Sequence, residues 1–394
     1  MTILDFDFGD RLPAPEVLVQ VENSGWAQFV PGNEPFDTGQ SAAALLKSSN
    51  GLVLAPTQGF WAERLAASKL KTDRIRVRFS ALPQTGPLGW WHEFHGIRDR
   101  TPPRGAGVTI GVIDEALGKQ PANSSISNVE NLGDIAWNRG ATNATSRGWS
   151  PITEHGEAVC ALLAARVAGA SGFAGVAPDA AVVFVAAGAD NTPALSRSRL
   201  IAGIDYLSKV RKCDLISVSA GDSPAPLADL ETAVDDAANS GTLCFFAAGN
   251  GRKVRYPAVY PICLAVAALG RSGIAPAESY ISYVDQFSSE AIEGANVYLW
   301  SMSARGAEVD FCAPGVGVIW SRFGLPAAAC FGTSFACPIA VGVAAMILGA
   351  DPKFLNADRD RQRYERGLDS LRKACVPVGS IPTLPYWSHG RLHV

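Results

Sequence analysis

Three side chains with catalytic chemistry, Asp114, His155 and Ser334, are widely separated in the sequence. Asp114 directly follows the apolar run VTIGVI, His155 opens the helix-like run HGEAVCALLAA, and Ser334 precedes the uncharged run FACPIAVGVAAMILGA. Taken singly, each has an ordinary explanation: an aspartate that starts a turn, an exposed first-turn histidine and a helix N-cap. Taken together, they supply a nucleophile, a base to take its proton and a carboxylate to orient the base. The three residues therefore predict nucleophilic catalysis by a hydroxyl group.

A fourth polar side chain, Asn250, ends the apolar run TLCFFAAGN. An asparagine after a strand is often a turn residue that tolerates left-handed backbone. Its side-chain amide can also donate a hydrogen bond to an oxyanion that develops during acyl transfer. The position of Asn250 is compatible with both roles.

The elements that position these residues alternate in type from residue 108 onward. The predicted strands have the sequences VTIGVID, AAVVFVAAG, CDLISVSAG, TLCFFAAGN and ICLAVAAL, and the helices between them are HGEAVCALLAARVAG, SRSRLIAGIDYLSKVRK and LADLETAVDDAANSG. Apolar strands separated by helices indicate an α/β fold, with a doubly wound, mostly parallel sheet covered on both faces. Sites in such sheets lie at the carboxyl ends of the strands, which is where Asp114 and Asn250 fall.

Six blocks, in order, resemble those of the subtilisin-like serine proteases, the subtilase family. They are GVIDEALG (111–118), EHGEAVCALLA (154–164), GVAPDAAV (175–182), SVSAG (217–221), VDFCAPG (309–315) and GTSFACPIAVG (332–342). The resemblance runs from about Pro87 to the C-terminal WSHGRLHV. It implies a subtilisin-like fold and a serine endopeptidase that acts on protein or peptide substrates through an acyl-enzyme intermediate.

The same resemblance implies a role for each site residue. Ser334 is the nucleophile, His155 the base and Asp114 the residue that orients it, while Asn250 contributes to the oxyanion hole. The SVSAG block resembles an edge strand that pairs with the substrate backbone, which implies substrate binding by Ser219, Ala220 and Gly221.

Two blocks depart from the family pattern beside the catalytic residues. Glu115-Ala116 replaces the Thr or Ser and Gly that usually follow the aspartate, and Glu157-Ala158 replaces Thr-His after the histidine's glycine. The residue after Pro338 is Ile339 where the family has His. These changes motivate an alternative function, a catalytically weak subtilase fold that acts as a peptide-binding or scaffold protein. A nucleotide-binding protein is disfavoured, because no GxGxxG or P-loop spacing follows a predicted strand.

Three units are expected along the chain. Residues 1–80 form a small α/β domain, with strands predicted at 16–22, 51–56 and 73–80 and a helix at 60–71. This domain resembles a propeptide in position and size, which implies inhibition of the site in cis; a fixed accessory domain that binds a partner is the alternative. Residues 81–107 are a linker that packs on the catalytic domain, which comprises residues 108–394. Within that domain, residues 271–300 are an insertion.

Composition limits the classes of function. The 394 residues are 47% hydrophobic and 18% charged, with a net charge of −3. This balance argues against nucleic-acid binding, and no uninterrupted apolar run reaches the roughly 18 residues of a membrane span. No secretory signal is visible in MTILDFDFGD, and the eight cysteines lack metal-ligand spacing, so we expect buried free thiols and a cytoplasmic location.

The sequence leaves two questions on ligands open. We expect no cofactor, although the resemblance implies that a structural calcium is possible at ligands that the sequence does not identify. Asp222 could favour a basic side chain in the specificity pocket, whereas Arg252, Lys253 and Arg255 could favour an acidic one.

Overall fold

The computed structural model describes most of the chain beyond residue 87 and four short strands before it. The described residues are 3–7, 17–21, 25–29, 72–78, 88–97, 104–117, 124–135, 151–166, 173–188, 195–220, 223–273, 285, 289–320, 328–379 and 390–394. The strand predicted at 51–56, the helix predicted at 60–71, and Gly221 and Asp222 lie outside them.

A four-stranded sheet contains the first four strands of the chain. These are β1 (Ile3–Asp7), β2 (Val17–Val21), β3 (Gly25–Phe29) and β4 (Thr72–Arg78). Their order in the sheet is β1-β4-β2-β3, with β1 parallel to β4 and the other pairs antiparallel. The strands predicted at 16–22 and 73–80 correspond to β2 and β4.

A nine-stranded sheet forms the centre of the larger unit. Its strands are β5 (Thr109–Asp114), β6 (Val129–Asn131), β7 (Ala181–Ala186), β8 (Leu215–Val218), β9 (Leu243–Ala247), β10 (Leu264–Arg271), β11 (Ser289–Ala291), β12 (Val297–Trp300) and β13 (Val309–Pro314). The order is β11-β12-β10-β9-β8-β5-β7-β6, and β13 also pairs with β10. The strands from β10 to β6 are parallel, and β11 and β12 are antiparallel. The predicted doubly wound, mostly parallel sheet is confirmed.

Helices cover both faces of this sheet. They are α1 (Trp90–Phe94), α2 (Pro151–Ala164), α3 (Arg197–Asp205), α4 (Ala228–Asn239), α5 (Thr333–Gly349), α6 (Pro352–Leu355) and α7 (Arg361–Lys373), with a π-helical turn, Tyr206–Val210, continuing α3. Apolar residues of α2 and α5 pack in one hydrophobic cluster, and those of α3 and α4 pack in a second. Because successive strand residues point to opposite faces, Val112 joins the first cluster and Ile113 the second.

Two short hairpins complete the unit. One pairs β14 (Val316–Trp320) with β15 (Ala328–Phe331), and the other pairs β16 (Cys375–Pro377) with β17 (Gly390–Leu392). In the described residues, no helix is long and apolar enough to cross a bilayer.

The segment 88–97 packs against the larger unit. The indole Nε1 of Trp90 donates to the carbonyl of Gly317 at 2.9 Å. His95 Nδ1 donates to the carbonyl of Leu392 at 2.6 Å, and the Val394 N–H donates to the carbonyl of His95. Both His92 and His95 are fully buried. This part of the chain is therefore attached to β14 and to the residues around β17.

Candidate active site

One cavity of about 350 Å³ lies at the carboxyl ends of neighbouring strands, as expected for this sheet topology. The chain segments that follow β5, β8 and β9 meet there with the first turn of α5 and with His155 of α2. This helix begins at Pro151, four residues before the histidine that was expected to open it. The lining residues are Asp114, Glu115, His155, Leu195, Ser219, Ala220, Ala247, Gly249, Asn250, Gly251, Thr333 and Ser334.

Asp114 and His155 form a hydrogen-bonded pair in this cavity, with 2.8 Å between His155 Nδ1 and Asp114 Oδ1. Because a carboxylate accepts, Nδ1 carries the proton and Nε2 is free to act as a base. Gly156 permits this approach, since a Cβ there would lie 2.2 Å from the carbonyl oxygen of Ala116. The glycine after the histidine thus lets α2 lie against the segment that follows β5.

The environment of His155 changes its basicity in two opposing ways. Burial alone would lower the pKa of the imidazole, but the charge and hydrogen bond of Asp114, with a contribution from Glu115, leave the pKa raised above 6.5. Glu115 is half-buried, and burial together with the Asp114 charge raises its pKa to about 7, against the attraction of His155. Two carboxyl groups therefore stabilise the protonated imidazole.

The two oxygens of Asp114 have different surroundings. Oδ1 accepts from His155 and also from the N–H of Glu115, at 2.8 Å. Oδ2 is buried and has no hydrogen-bond partner among the described residues. A buried carboxylate oxygen without a donor is costly, so the departure at Glu115-Ala116 coincides with an incomplete hydrogen-bond set on the orienting residue.

Ser334 is the second residue of α5 and is half-buried at the cavity. The N-cap is Gly332, whose φ of 137° favours glycine, so Ser334 does not cap the helix. Pro338 lies in the second turn and lacks the N–H that would donate to the Ser334 carbonyl four residues earlier. Ser219 Oγ donates to that carbonyl instead, at 2.7 Å. A side chain from the segment after β8 thus replaces the missing helical bond.

Thr333 orients the amide of Asn250. The Thr333 N–H and hydroxyl both donate to Asn250 Oδ1, at 3.0 and 2.8 Å. The same hydroxyl accepts from the Gly249 N–H at 3.2 Å. Because Oδ1 must face these donors, the NH₂ group is turned to the opposite side of the amide. Sequence reasoning missed this role of Thr333, although its place in the GTS motif was a signal.

Six of the seven predicted site residues line the cavity together: Asp114, His155, Ser219, Ala220, Asn250 and Ser334. The seventh, Gly221, lies outside the described residues. β8 occupies the middle of the large sheet rather than its edge, and Ser219 and Ala220 continue beyond its end. In the part of the chain that the structure describes, no hydrogen bond joins Ser334 to His155; such bonds often form only with substrate present.

Within the described ranges, no group of three or more His, Cys, Asp or Glu side chains is placed to hold a metal ion. The described residues therefore offer no carboxylate cluster for the structural calcium that the resemblance allows.

Comparison with known sequences connects this geometry to characterised proteins. The sequence profile of the subtilase family matches residues 105–370. Subtilisin from Bacillus pumilus is 32% identical over 264 residues, which are 65% of this chain and 82% of that protein. Subtilisin E from Bacillus subtilis (strain 168) is 31% identical over 264 residues, and the chain spans only 60% of its length.

Solved structures show the same fold. Sphericase aligns over 79% of this chain and 100% of its own, with a TM-score of 0.59 and 22% identity. A cold adapted subtilisin-like serine proteinase aligns over 78% of this chain and 98% of its own, with a TM-score of 0.55 and 20% identity. At these identities the likeness concerns the fold.

Proposed function

The chain belongs to the subtilase family of serine proteases, and we propose that it is an endopeptidase whose triad is Ser334, His155 and Asp114. The observation that carries the proposal is the 2.8 Å hydrogen bond between His155 Nδ1 and Asp114, in a cavity that Ser334 also lines. This bond leaves Nε2 as the basic nitrogen that would take the proton of the Ser334 hydroxyl.

The reaction would proceed in two stages. Ser334 Oγ attacks the peptide carbonyl carbon while His155 Nε2 takes the hydroxyl proton. The same proton then goes to the leaving amine as the C–N bond breaks, which gives an acyl-enzyme and a free amine. In the second stage, water attacks the ester, His155 again transfers the proton, and the carboxylic acid product leaves with Ser334 restored.

Two donors would stabilise the negative oxygen that forms in each stage. One is the amide NH₂ of Asn250, which the Thr333 hydrogen bonds turn away from Thr333. The other is the N–H of Ser334, for which the described backbone supplies no acceptor. The N-terminus of α5 adds a favourable dipole to these hydrogen bonds. The substrate backbone would lie along Ser219 and Ala220.

A fluorophosphonate probe tests the nucleophile directly, since it reacts only with an activated serine. Wild-type protein should be labelled and Ser334→Ala should not. The Ser334→Ala protein must keep the wild-type circular dichroism spectrum and thermal unfolding midpoint. Absence of labelling in folded wild-type protein, freed of its first 87 residues by limited proteolysis, contradicts the proposal.

A catalytically weak peptide-binding protein is the second candidate, and the buried Asp114 Oδ2 without a donor favours it. This candidate predicts peptide binding without turnover by the wild-type protein.

The unit that contains the four-stranded sheet has two candidate roles. If it inhibits the site in cis, its removal by limited proteolysis should speed up labelling of Ser334 by the fluorophosphonate probe. If it recruits a partner, the labelling rate should stay unchanged. The cytoplasmic location stays a prediction.

A further inference from the structure

Arg199 carries a buried charge that the proposed mechanism does not use. Only 9% of the residue is exposed, and it lies in the first turn of α3, which contains no acidic residue. A positive charge is unfavourable at that end of a helix, because the macrodipole already places positive charge there. Burial of a charged group is also costly unless the group is paired. The reason for an arginine at this position therefore lies in its contacts outside α3.

The guanidinium group of Arg199 joins two chain segments that follow neighbouring strands. Its Nε lies 2.9 Å from Asp134 Oδ2 in an ion pair, and its Nη1 donates to the Gly188 carbonyl. Asp134 follows β6 and Gly188 follows β7, and these two strands pair in the large sheet. A planar guanidinium has N–H groups in fixed directions, so it can hold two such acceptors in one geometry, whereas the ammonium group of lysine cannot.

Gly188 belongs to the boundary of the cavity. Its N–H donates to the Glu115 carbonyl at 2.9 Å, and it forms an isolated antiparallel bridge with Leu195, which lines the cavity. A Cβ at residue 188 would lie 2.5 Å from the Glu115 carbonyl oxygen, so glycine permits this approach. We call the bridged pair, Gly188 and Leu195, the wall. Arg199 thus reaches the cavity through the carbonyl of Gly188.

The beginning of α3 is attached to the same segment. The Ser196 N–H donates to the Ala187 carbonyl at 2.7 Å, directly before Gly188. Arg199 lies three residues after Ser196 and binds the next carbonyl of that segment, the one of Gly188. The two bonds hold Leu195 between α3 and the end of β7. The ion pair with Asp134 in turn fixes the guanidinium group that makes the second bond.

The order of the strands places this wall beside the substrate. β5 lies between β7 and β8, so Gly188 and Ser219 continue from strands on either side of the one that ends at Asp114. Both Ser219 and Leu195 line the cavity. A peptide that lies along Ser219 would therefore meet Leu195 across the cavity.

We propose that Arg199 is a positioning residue for substrate binding, which, paired with Asp134, holds Gly188 and Leu195 in place before the peptide arrives. The inference rests on the proposed endopeptidase function and adds to it a residue outside the cavity. A wall that is already ordered does not have to be ordered by the substrate, so the peptide binds more tightly. Without Arg199 the wall is in place for only a fraction of the time, and the apparent affinity falls by that fraction.

Steady-state kinetics on a peptide without charged side chains test the proposal, because such a peptide excludes direct attraction or repulsion by the lost charge. In Arg199→Gln we expect KM to rise roughly tenfold, the result of a wall in place about one tenth of the time, with kcat nearly unchanged. A merely structural role would lower the unfolding midpoint and leave KM unchanged.

Arg211→Gln is the matched control. It breaks an exposed ion pair between Arg211 and Glu130, a residue of β6, and should leave KM unchanged. An unchanged KM in Arg199→Gln, or an equal rise in both variants, would overturn the proposal. Arg199→Lys keeps the charge but not the planar group, so it provides a second variant if Arg199→Gln does not fold. KM should rise in it as well, and an unchanged KM there also contradicts the proposal.

Equilibrium binding separates this role from the function on which it rests. Fluorescence anisotropy with a labelled copy of the same peptide and the Ser334→Ala protein measures Kd without cleavage. Asp134→Ala should raise Kd when Arg199 is present and have no further effect in Arg199→Lys, because Asp134 acts through Arg199. Additive effects would reject the pairing. Coupled effects on Kd support the role even if the wild-type protein cleaves no peptide. Cleavage with Kd unchanged in the Arg199 variants rejects the role and leaves the endopeptidase function standing.

Discussion

The two sides of the cavity are built differently. The nucleophile side, comprising Ser219, Asn250, Thr333 and Ser334, is tied together by hydrogen bonds between separate segments. The base side, comprising Asp114, Glu115 and His155, contains one strong pair but also a buried carboxylate oxygen without a donor and a second, half-buried carboxyl group.

This difference indicates which property of the reaction each side of the cavity controls. On the nucleophile side, Ser219 replaces a missing helical hydrogen bond to the Ser334 carbonyl, and Thr333 orients the Asn250 amide. On the base side, the charges of Asp114 and Glu115 raise the pKa of His155, and Glu115 lines the cavity. We infer that the nucleophile side sets the geometry of attack, whereas the base side sets the pH dependence of the reaction.

The largest expected effect lies on the nucleophile side, at Asn250. Asn250→Asp keeps the Oδ1 acceptor for Thr333 but removes the NH₂ donor, so we expect kcat to fall by about 10²–10³-fold or more. KM should change little. Steady-state kinetics measure the effect, and a loss below tenfold would contradict the oxyanion role.

A second variant separates loss of the Asn250 NH₂ donor from loss of the Thr333 hydrogen bonds. Asn250→Leu also removes the acceptor of the two Thr333 bonds, so it should have a lower unfolding midpoint than Asn250→Asp. Equal midpoints would show that the Thr333 hydrogen bonds do not fix this segment.

A donor for the unpaired Asp114 oxygen should raise kcat/KM, by less than the loss expected at Asn250. Glu115→Thr provides a hydroxyl beside Asp114 Oδ2, and satisfying a buried acceptor is worth about 1 kcal/mol, or roughly fivefold in kcat/KM. A peptide substrate without charged side chains is the proper substrate, because it excludes an effect of the Glu115 charge on substrate binding. Glu115→Val has the same shape without the hydroxyl and should show no such gain. A gain of equal size in both variants would assign the effect to removal of charge.

Ser219→Ala tests the bond that compensates for Pro338. Loss of the hydroxyl leaves the Ser334 carbonyl without its donor and should lower the free energy of unfolding by about 1 kcal/mol. Adding Pro338→Ala restores the helical N–H and should recover most of this loss. A double-mutant cycle from denaturant unfolding measures the coupling, and additive effects would show that the two residues act independently.

The smallest effect concerns the acid limb of the pH profile. Because Glu115 contributes to the raised pKa of His155, Glu115→Gln should move the acid limb of kcat/KM to lower pH. The limb moves to lower pH because removal of a nearby negative charge destabilises the imidazolium and lowers the pKa of His155. Rates between pH 5 and 9 on a peptide substrate without charged side chains test this expectation. A limb that stays in place or moves to higher pH would contradict the influence of Glu115 on the base.

The sequence predicts the parts of the site that lie at the ends of regular elements. Asp114 follows an apolar strand and Ser334 precedes an apolar helix, so periodicity alone places them near the sheet's functional edge. The Thr333–Asn250 and Ser219–Ser334 bonds join residues 83 and 115 positions apart, and they depend on loop paths that periodicity does not encode. Strands β1 (ILDFD) and β3 (GWAQF) were missed, because Asp and Gly have low strand propensity and interrupt the apolar pattern.

Two buried histidines in the segment 88–97 make the free energy of unfolding depend on pH. Burial lowers the pKa of both His92 and His95 from 6.5 to about 3. The unfolded chain binds protons at these imidazoles below about pH 6.5, so the folded state loses up to about 1.4 kcal/mol per group for each further unit of acidification, until pH nears 3. Unfolding at pH 5 should therefore take up about two protons at these sites. Since His155 must also be neutral to act as a base, the same acidification weakens both the fold and the proposed chemistry.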